Sequence, residues 1–171
     1  VLTYQAGIVP LGSPDELAAI RAKPPRDVFR REVMSLQEFI RCRNDKLDPD
    51  ADCPVKHIFA PGAYAREILL PAGAVVVGKI HKHAHLNFIT KGKVRVVTET
   101  GALEMTAPYT FVSEVGTKRV VYAVEETIWT TVHITNETDL EKIEDYVIAK
   151  TYDELGALTS DDLRALMIEK D

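Results

Sequence analysis

The sequence predicts a mainly β protein: an antiparallel jelly-roll barrel with short N-terminal and C-terminal helices. Two observations carry this. From Tyr64 the chain breaks into short β-branched runs, and turn residues punctuate them at Pro71-Ala-Gly73, Lys91-Gly92, Glu99-Thr-Gly101, Ala107-Pro108, Val115-Gly116 and Glu125-Glu126. About eight strands at that spacing fit a double-sheet jelly roll, which limits exposed edges.

The strands are expected near Tyr64 to Leu70, Val75 to His85, Leu86 to Thr90, Lys93 to Thr98, Leu103 to Met105, Thr110 to Ser113, Lys118 to Val124 and Thr127 to Ile134. Upstream, Ser13 with Glu16 and Ser35 with Glu38 form capping boxes that open two short helices. Pro14 suits the first helical position, Leu17, Ala18 and Ile20 give the first helix an apolar stripe, and Phe39 and Ile40 do so for the second. Pro24 and Pro25 make Lys23 to Arg26 an extended linker. Asn44 to Pro54 reads as a solvated acidic loop, because it lacks the glycine and terminal glutamate of a calcium-binding loop.

Beyond the barrel, Thr138 with Glu141 forms a third capping box, and Leu140, Ile143 and Val147 recur at helical spacing. A last helix is expected over Ser160 to Lys170, with Leu163, Leu166 and Met167 on one face and Gly156 breaking the chain before it. The expected organisation is an N-terminal arm over 1–56, the barrel over 57–135 and C-terminal helices over 136–171.

At 171 residues, with 46% hydrophobic and 27% charged residues, the chain can bury one sizeable core. The net charge of -5 gives no basic excess to neutralise phosphates, so nucleic acid is not an expected partner. Cys42 and Cys53 do not form a C-x-x-C pair, so neither a zinc knuckle nor a redox motif is read there. Apolar runs such as Ala74 to Val77 are far too short to span a membrane, and no basic segment precedes an apolar core at the N-terminus. A cytoplasmic protein with no membrane partner is expected, its start at Val1 read as trimmed or processed.

The candidate chemistry lies in Gly78-Lys-Ile-His81-Lys-His83-Ala-His85, which places three of the five histidines at a spacing of two. On a strand, alternate residues share a face, with Cα atoms about 7 Å apart. Converging neutral imidazoles suit zinc, copper, iron or nickel. The competing placement is a solvated edge strand. The apolar runs on either side, Val75 to Val77 and Leu86 to Ile89, argue instead that one face lines an interior. His57 is read as an ordinary packing or surface residue, and Trp129 and Tyr122 as core.

The segment from Pro71 to Gly92 resembles the first motif of the cupin superfamily, His-x-His, then a glutamate, then six residues and a glycine. Counted back from Gly92, His85 takes the glutamate position, His81 the second histidine and Lys79 the first. Ser113-Glu-Val-Gly116-Thr-Lys-Arg119 resembles the second motif, with Arg119 where a histidine is expected. Together the matches cover roughly the central half of the chain. The resemblance implies a divalent transition metal (zinc, iron, nickel, manganese or copper) held by His81, His85 and His133, with His83 an alternative ligand or supporting group.

An inward Arg119 would need an anion, either a carboxylate or phosphate on a ligand or an acidic residue such as Glu67 or Glu114. Arg119 and His83 are therefore the expected ligand-binding residues. The chain also resembles uncharacterised cupin-like proteins of bacteriophage and bacterial genomes in His85-Leu-Asn, Ala107-Pro, Gly116-Thr-Lys-Arg and Trp129-Thr-Thr-Val-His133. Two functions follow as expectations. One is a metal-binding barrel that binds or transforms a small anionic molecule. The other is a non-enzymatic virion or assembly component that uses the barrel as a docking module. A homo-oligomer, or an assembly with other proteins, is expected.

Overall fold

The computed structural model describes residues 6–7, 26–44 and 46–155. Period-two alternation decides which way each long strand faces. In β3 (Ala63–Leu70) the buried residues are Tyr64, Arg66, Ile68 and Leu70, and in β11 (Thr127–Ile134) they are Thr127, Trp129, Thr131 and His133. Strand β6 (His85–Lys91) turns His85, Asn87 and Ile89 inward. With β2 (Val55–Ala60) and β9 (Tyr109–Ser113) these make a five-stranded sheet in the order β2-β3-β11-β6-β9.

A second five-stranded sheet faces it, in the order β1-β4-β10-β7-β8, from β1 (Ala6–Gly7), β4 (Val75–Val77), β10 (Val120–Ala123), β7 (Lys93–Thr98) and β8 (Gly101–Thr106). Every pairing within the two sheets is antiparallel. Ile68, Leu70, Val76, Val94, Val121 and Trp129 fill the space between them. The sheets remain separate in hydrogen bonding, so the barrel is a two-sheet jelly roll rather than a closed cylinder.

Helix α1 (Arg26–Cys42) lies on the outer face of the second sheet, where Phe29, Val33 and Ile40 meet Val75 and Val77. This explains why all three residues of β4 are buried: Val76 faces the core and its neighbours face the helix. The helix corrects the expected start at Ser35. Ser35 sits inside it, its hydroxyl donating to the Arg31 carbonyl at 3.0 Å, while Phe39 points out at 52% exposure. Arg26, assigned to the linker, is its first residue. The helices expected after Ser13 and over Ser160 to Lys170 fall outside the described residues.

The single strand expected from Val75 to His85 is two strands. β4 ends at Val77, β5 (Ile80–His81) follows, and the chain bends at Lys82 and His83 before β6. Within the expected loop from Asn44 to Pro54, Pro49–Asp52 forms a four-residue helix, α2. The later helix, α3 (Leu140–Val147), is capped by Asp139 rather than Thr138, with the Asp139 carboxylate accepting from the Glu141 and Lys142 amides. Ile143 and Val147 pack on Tyr64, and β12 (Ile148–Ala149) pairs with β5. The C-terminal segment thus covers the barrel end that carries His81. No helix among the described residues is long and apolar enough to cross a membrane.

Gly92 sits in the tight turn between β6 and β7 at φ +86°, where a Cβ would lie 2.8 Å from the Thr127 Cα. Gly92→Ala is expected to destabilise the fold by about 3 kcal/mol, through strain and overpacking against backbone that cannot yield. Chemical denaturation checks this; a loss below about 1 kcal/mol would mean the turn relaxes.

Candidate metal centre

Strand register stacks the barrel interior into layers. Ile68, Trp129 and Ile89 face one another across β3, β11 and β6 and make an apolar floor. One step along the strands come Arg66, Thr131 and Asn87, and beyond these Tyr64, His133 and His85. On the opposite sheet Val76, Val121 and Val96 are in register at floor level. Gly78 and Arg119 lie two residues further toward the histidines, the Gly78 amide donating to the Arg119 carbonyl at 2.8 Å. A Cβ at Gly78 would come within 3.4 Å of Arg119 Cγ, so the glycine clears the path of that side chain.

His81 enters from β5, His85 from the start of β6 and His133 from β11, and one nitrogen of each lies within 4.8 Å of the others. The ring centroids are 4.0 Å apart for His81 and His85, 4.9 Å for His85 and His133, and 5.3 Å for His81 and His133. Tyr64 stacks behind His133, and its hydroxyl meets His57 Nδ1 at 2.7 Å. His57 therefore packs behind the cluster.

His85 Nδ1 lies 3.1 Å from the His83 carbonyl. A carbonyl only accepts, so this nitrogen carries the proton, and in the neutral ring the lone pair is on Nε2. Nε2 is buried and has no hydrogen-bond partner among the described residues, and the same holds for His81 Nδ1.

The structure brings His81, His85 and His133 together and places the His83 ring elsewhere. The bend at Lys82 and His83 turns that ring outward onto Tyr146, at 4.4 Å between centroids, so His83 meets the site through its carbonyl. The His83 side chain is thus exposed and stands apart from the other three rings. Arg119 does point inward: Nη2 donates to Ser113 Oγ at 2.5 Å, and the guanidinium lies over Phe111 and Trp129. Of its two expected acidic partners, Glu67 faces outward to Lys56 and Thr130.

Asn87 escaped the sequence reading. Fully buried, it donates to Ser113 Oγ at 2.7 Å and accepts from Trp129 Nε1 at 2.9 Å and from the Thr131 hydroxyl at 3.2 Å. Arg66 was missed too, although alternation from Ile68 would have turned it inward. Lys79, at the first histidine position of the motif, forms an ion pair with Glu144 of α3. Lys118 is buried on Gln37 Oε1 and the Gly78 carbonyl, and burial with neighbouring Lys79 lowers its pKa to about 8.

A cavity open to solvent runs from the histidines to the floor. Its walls include Lys79, His81, His85, Asn87, Arg119 and Thr131 above, and Ile68, Leu70, Val76, Val121 and Trp129 below. A smaller space lies on the other side of the cluster, between Tyr64, Arg66, His133 and α3. The facing sheets, their strand order and the histidines at one end decide the architecture. The fold is of the cupin type.

No protein-family model matches the chain, and no curated protein matches it in sequence. Solved structures of similar fold include an acetylacetone dioxygenase from Acinetobacter johnsonii, at 18% identity and TM-score 0.40, the match covering 47% of this chain and 58% of that one. KdgF from Halomonas sp. matches at 18% identity and TM-score 0.46, over 55% of this chain and 90% of that one. A cupin-2 domain containing protein from Shewanella frigidimarina matches at 10% identity and TM-score 0.41, over 47% and 79%. The cupin-type description rests on this chain's own strand order.

Burial holds all three rings below the usual imidazole pKa of about 6.5. His85 falls to about 4, lowered by burial and by Arg119 against the opposing pull of the His83 carbonyl. His133 falls to about 4 through burial and then its histidine neighbours and Arg66, while His81 is held well below the usual value by burial, then by His85, His133 and the two arginines. Between these values and pH 6.5 the unfolded chain binds more protons than the folded one, so stability falls as pH falls through that window. Chelator-treated protein should lose stability progressively as pH falls from about 6.5 to 4, which thermal melts across that window check. Replacing His85 and His133 together by Gln should flatten that slope. An unchanged slope in the double variant would place the titrating groups elsewhere.

Proposed function

We propose that the chain is a metal-binding protein in which His81, His85 and His133 hold a divalent transition metal, beside a cavity that binds or transforms a small anionic molecule. The observation that carries this is the pair of orphaned nitrogens, His81 Nδ1 and His85 Nε2, buried and partnerless among the described residues and converging with His133. A buried polar atom left unpaired costs about 1–3 kcal/mol, and neutral imidazoles sharing one cation remove that cost.

The hydrogen bond from His85 Nδ1–H to the His83 carbonyl supports the reading, because a ligating histidine is commonly oriented through its other nitrogen. A bound metal would supply Lewis acidity toward an oxygen ligand. Three neutral imidazoles leave its charge uncompensated. The described cavity lining adds Arg119 and includes no carboxylate, Lys79 being already paired with Glu144 of α3, which favours an anion beside the metal.

Zinc titration with a competing chelator tests the site. His81→Ala, His85→Ala and His133→Ala are each expected to weaken zinc binding at least ~100-fold. His83→Ala keeps the carbonyl that His85 uses and should change it by less than about threefold. Wild-type protein that stays substoichiometric in zinc, iron, nickel, manganese and copper after reconstitution would overturn the assignment.

The assembly reading has its own observation. On the outer face of the histidine-bearing sheet, Ile58, Ala65, Val132, Leu86 and Val112 fall in register across all five strands, an uncharged apolar row about 19 Å wide. Ile58, Leu86 and Val112 are exposed by 45–55%, and neighbouring Ile134 by 86%. Helix α1 covers the corresponding face of the other sheet, whereas no described element covers this one. A second copy of the chain, packed sheet on sheet, supplies a matching neutral apolar surface without like-charge repulsion. Sedimentation should give a dimer at micromolar concentration. Leu86→Asp with Val112→Asp should give a monomer that still takes up zinc; a wild-type monomer at ~100 μM would sink this reading.

A further inference from the structure

We infer that Tyr64 and His57 form a proton-coupled redox pair, in which the Tyr64 phenol gives one electron to a one-electron oxidant while its proton passes to His57 Nδ1. The pair lies behind the histidine cluster and needs no bound metal, so the inference stands apart from the metal assignment.

Tyr64 is 1% exposed, and a buried phenol needs a partner for its hydroxyl. The partner here is an imidazole nitrogen, His57 Nδ1 at 2.7 Å. Register puts His57 opposite Arg66 on the outer strand β2, one diagonal step from Tyr64. Burial, and then Arg66, hold the His57 pKa below the ordinary imidazole value, so the ring is uncharged near neutrality. With the proton of that neutral ring on Nε2, Nδ1 is a base and the phenol donates to it.

Loss of an electron turns a phenol into a strong acid, so the oxidation is costly unless the proton leaves in the same step. Here the O–H bond breaks, an Nδ1–H bond forms and the electron goes to the oxidant, leaving a neutral tyrosyl radical beside an imidazolium. His57 is only partly buried, so its Nε2 proton can pass on to solvent. Return of one electron and one proton restores the pair.

Rings in contact lead from this pair to the cluster. His57 and Tyr64 are 11° from parallel with centroids 5.9 Å apart, Tyr64 and His133 16° and 6.3 Å, and His133 and His81 14° and 5.3 Å. Phe59, 42% exposed and 5.2 Å from the Tyr64 ring, brings the column to the surface. Trp129, by contrast, donates its N–H to the amide oxygen of Asn87, which is no base at neutral pH, and Tyr109 and Tyr146 are exposed by 36% and 50%.

Flash photolysis of the chelator-treated full chain, with a ruthenium(III) polypyridyl complex generated in solution as the oxidant, tests this. Electron paramagnetic resonance should show a tyrosyl radical, and a ring-fluorinated tyrosine placed at Tyr64 should add fluorine splitting to it, which locates the radical without removing the side chain. Tyr64→Phe keeps the ring stack and should lose that signal. His57→Gln keeps an acceptor but no base, and should slow formation of the Tyr64 radical at least ~100-fold, the contribution of a positioned base. Wild-type oxidation should be slower in D₂O than in H₂O, and melting curves check that each variant is folded. A bond that only supports the fold would lower the melting temperature in His57→Gln and leave the oxidation rate and the isotope effect unmoved. That outcome, or a radical without fluorine splitting from Tyr64, would overturn the inference. The metal assignment is decided separately, by zinc titration.

Discussion

The interior of this barrel is organised around one buried amide. Asn87 joins β6 to β11 through Trp129 and Thr131, and to β9 through Ser113, which in turn receives Arg119 from the opposite sheet. The net value of each bond is modest, but leaving any of these buried groups unpaired would be costly, so the set is held as a unit. It fixes the plane of the Trp129 indole together with the direction of Arg119, whose guanidinium lies over that ring.

The histidine cluster depends on a different constraint, an interrupted strand. A regular strand through His81, His83 and His85 would carry all three rings along one face in a line. Ending β5 at His81 and bending the chain at Lys82 and His83 lets His81 and His85 approach to 4.0 Å between rings, while the His83 ring turns out onto Tyr146. The backbone of His83 still takes part, since its carbonyl selects the protonated nitrogen of His85. Burial by the surrounding apolar residues keeps the rings neutral, the state in which imidazole lone pairs are free to ligate.

Much of this was legible in the sequence where the signal is local and periodic. Tyr64 to Leu70 and Thr127 to Ile134 alternate cleanly and form β3 and β11 nearly residue for residue. The bend was foreshadowed by the motif count from Gly92, which set His83 apart from His81 and His85. What remained hidden depends on distant partners. Helix α1 starts at Arg26 because Phe29 and Val33 have Val75 and Val77 to cover, whereas the Ser35 and Glu38 pair is a strong local signal that the structure does not use. Strand β2 lacks clean alternation and is formed by pairing with β3, and the two-residue β12 is too short to announce itself. A polar residue such as Asn87 gives no hint in sequence of which buried groups it will satisfy.

The three histidines do not belong to one sheet. His85 and His133 sit on neighbouring strands of a five-stranded sheet, whereas His81 is carried by β5, whose pairing in the described chain is with β12 after α3. That small ladder is two residue pairs long, reinforced by the bond from the Lys82 amide to the Val147 carbonyl and by the Lys79 and Glu144 ion pair. An ion bridging the cluster would therefore act as a rivet between the main sheet and the C-terminal segment. Occupancy of the site and docking of that segment would then be thermodynamically linked, each favouring the other by the same factor.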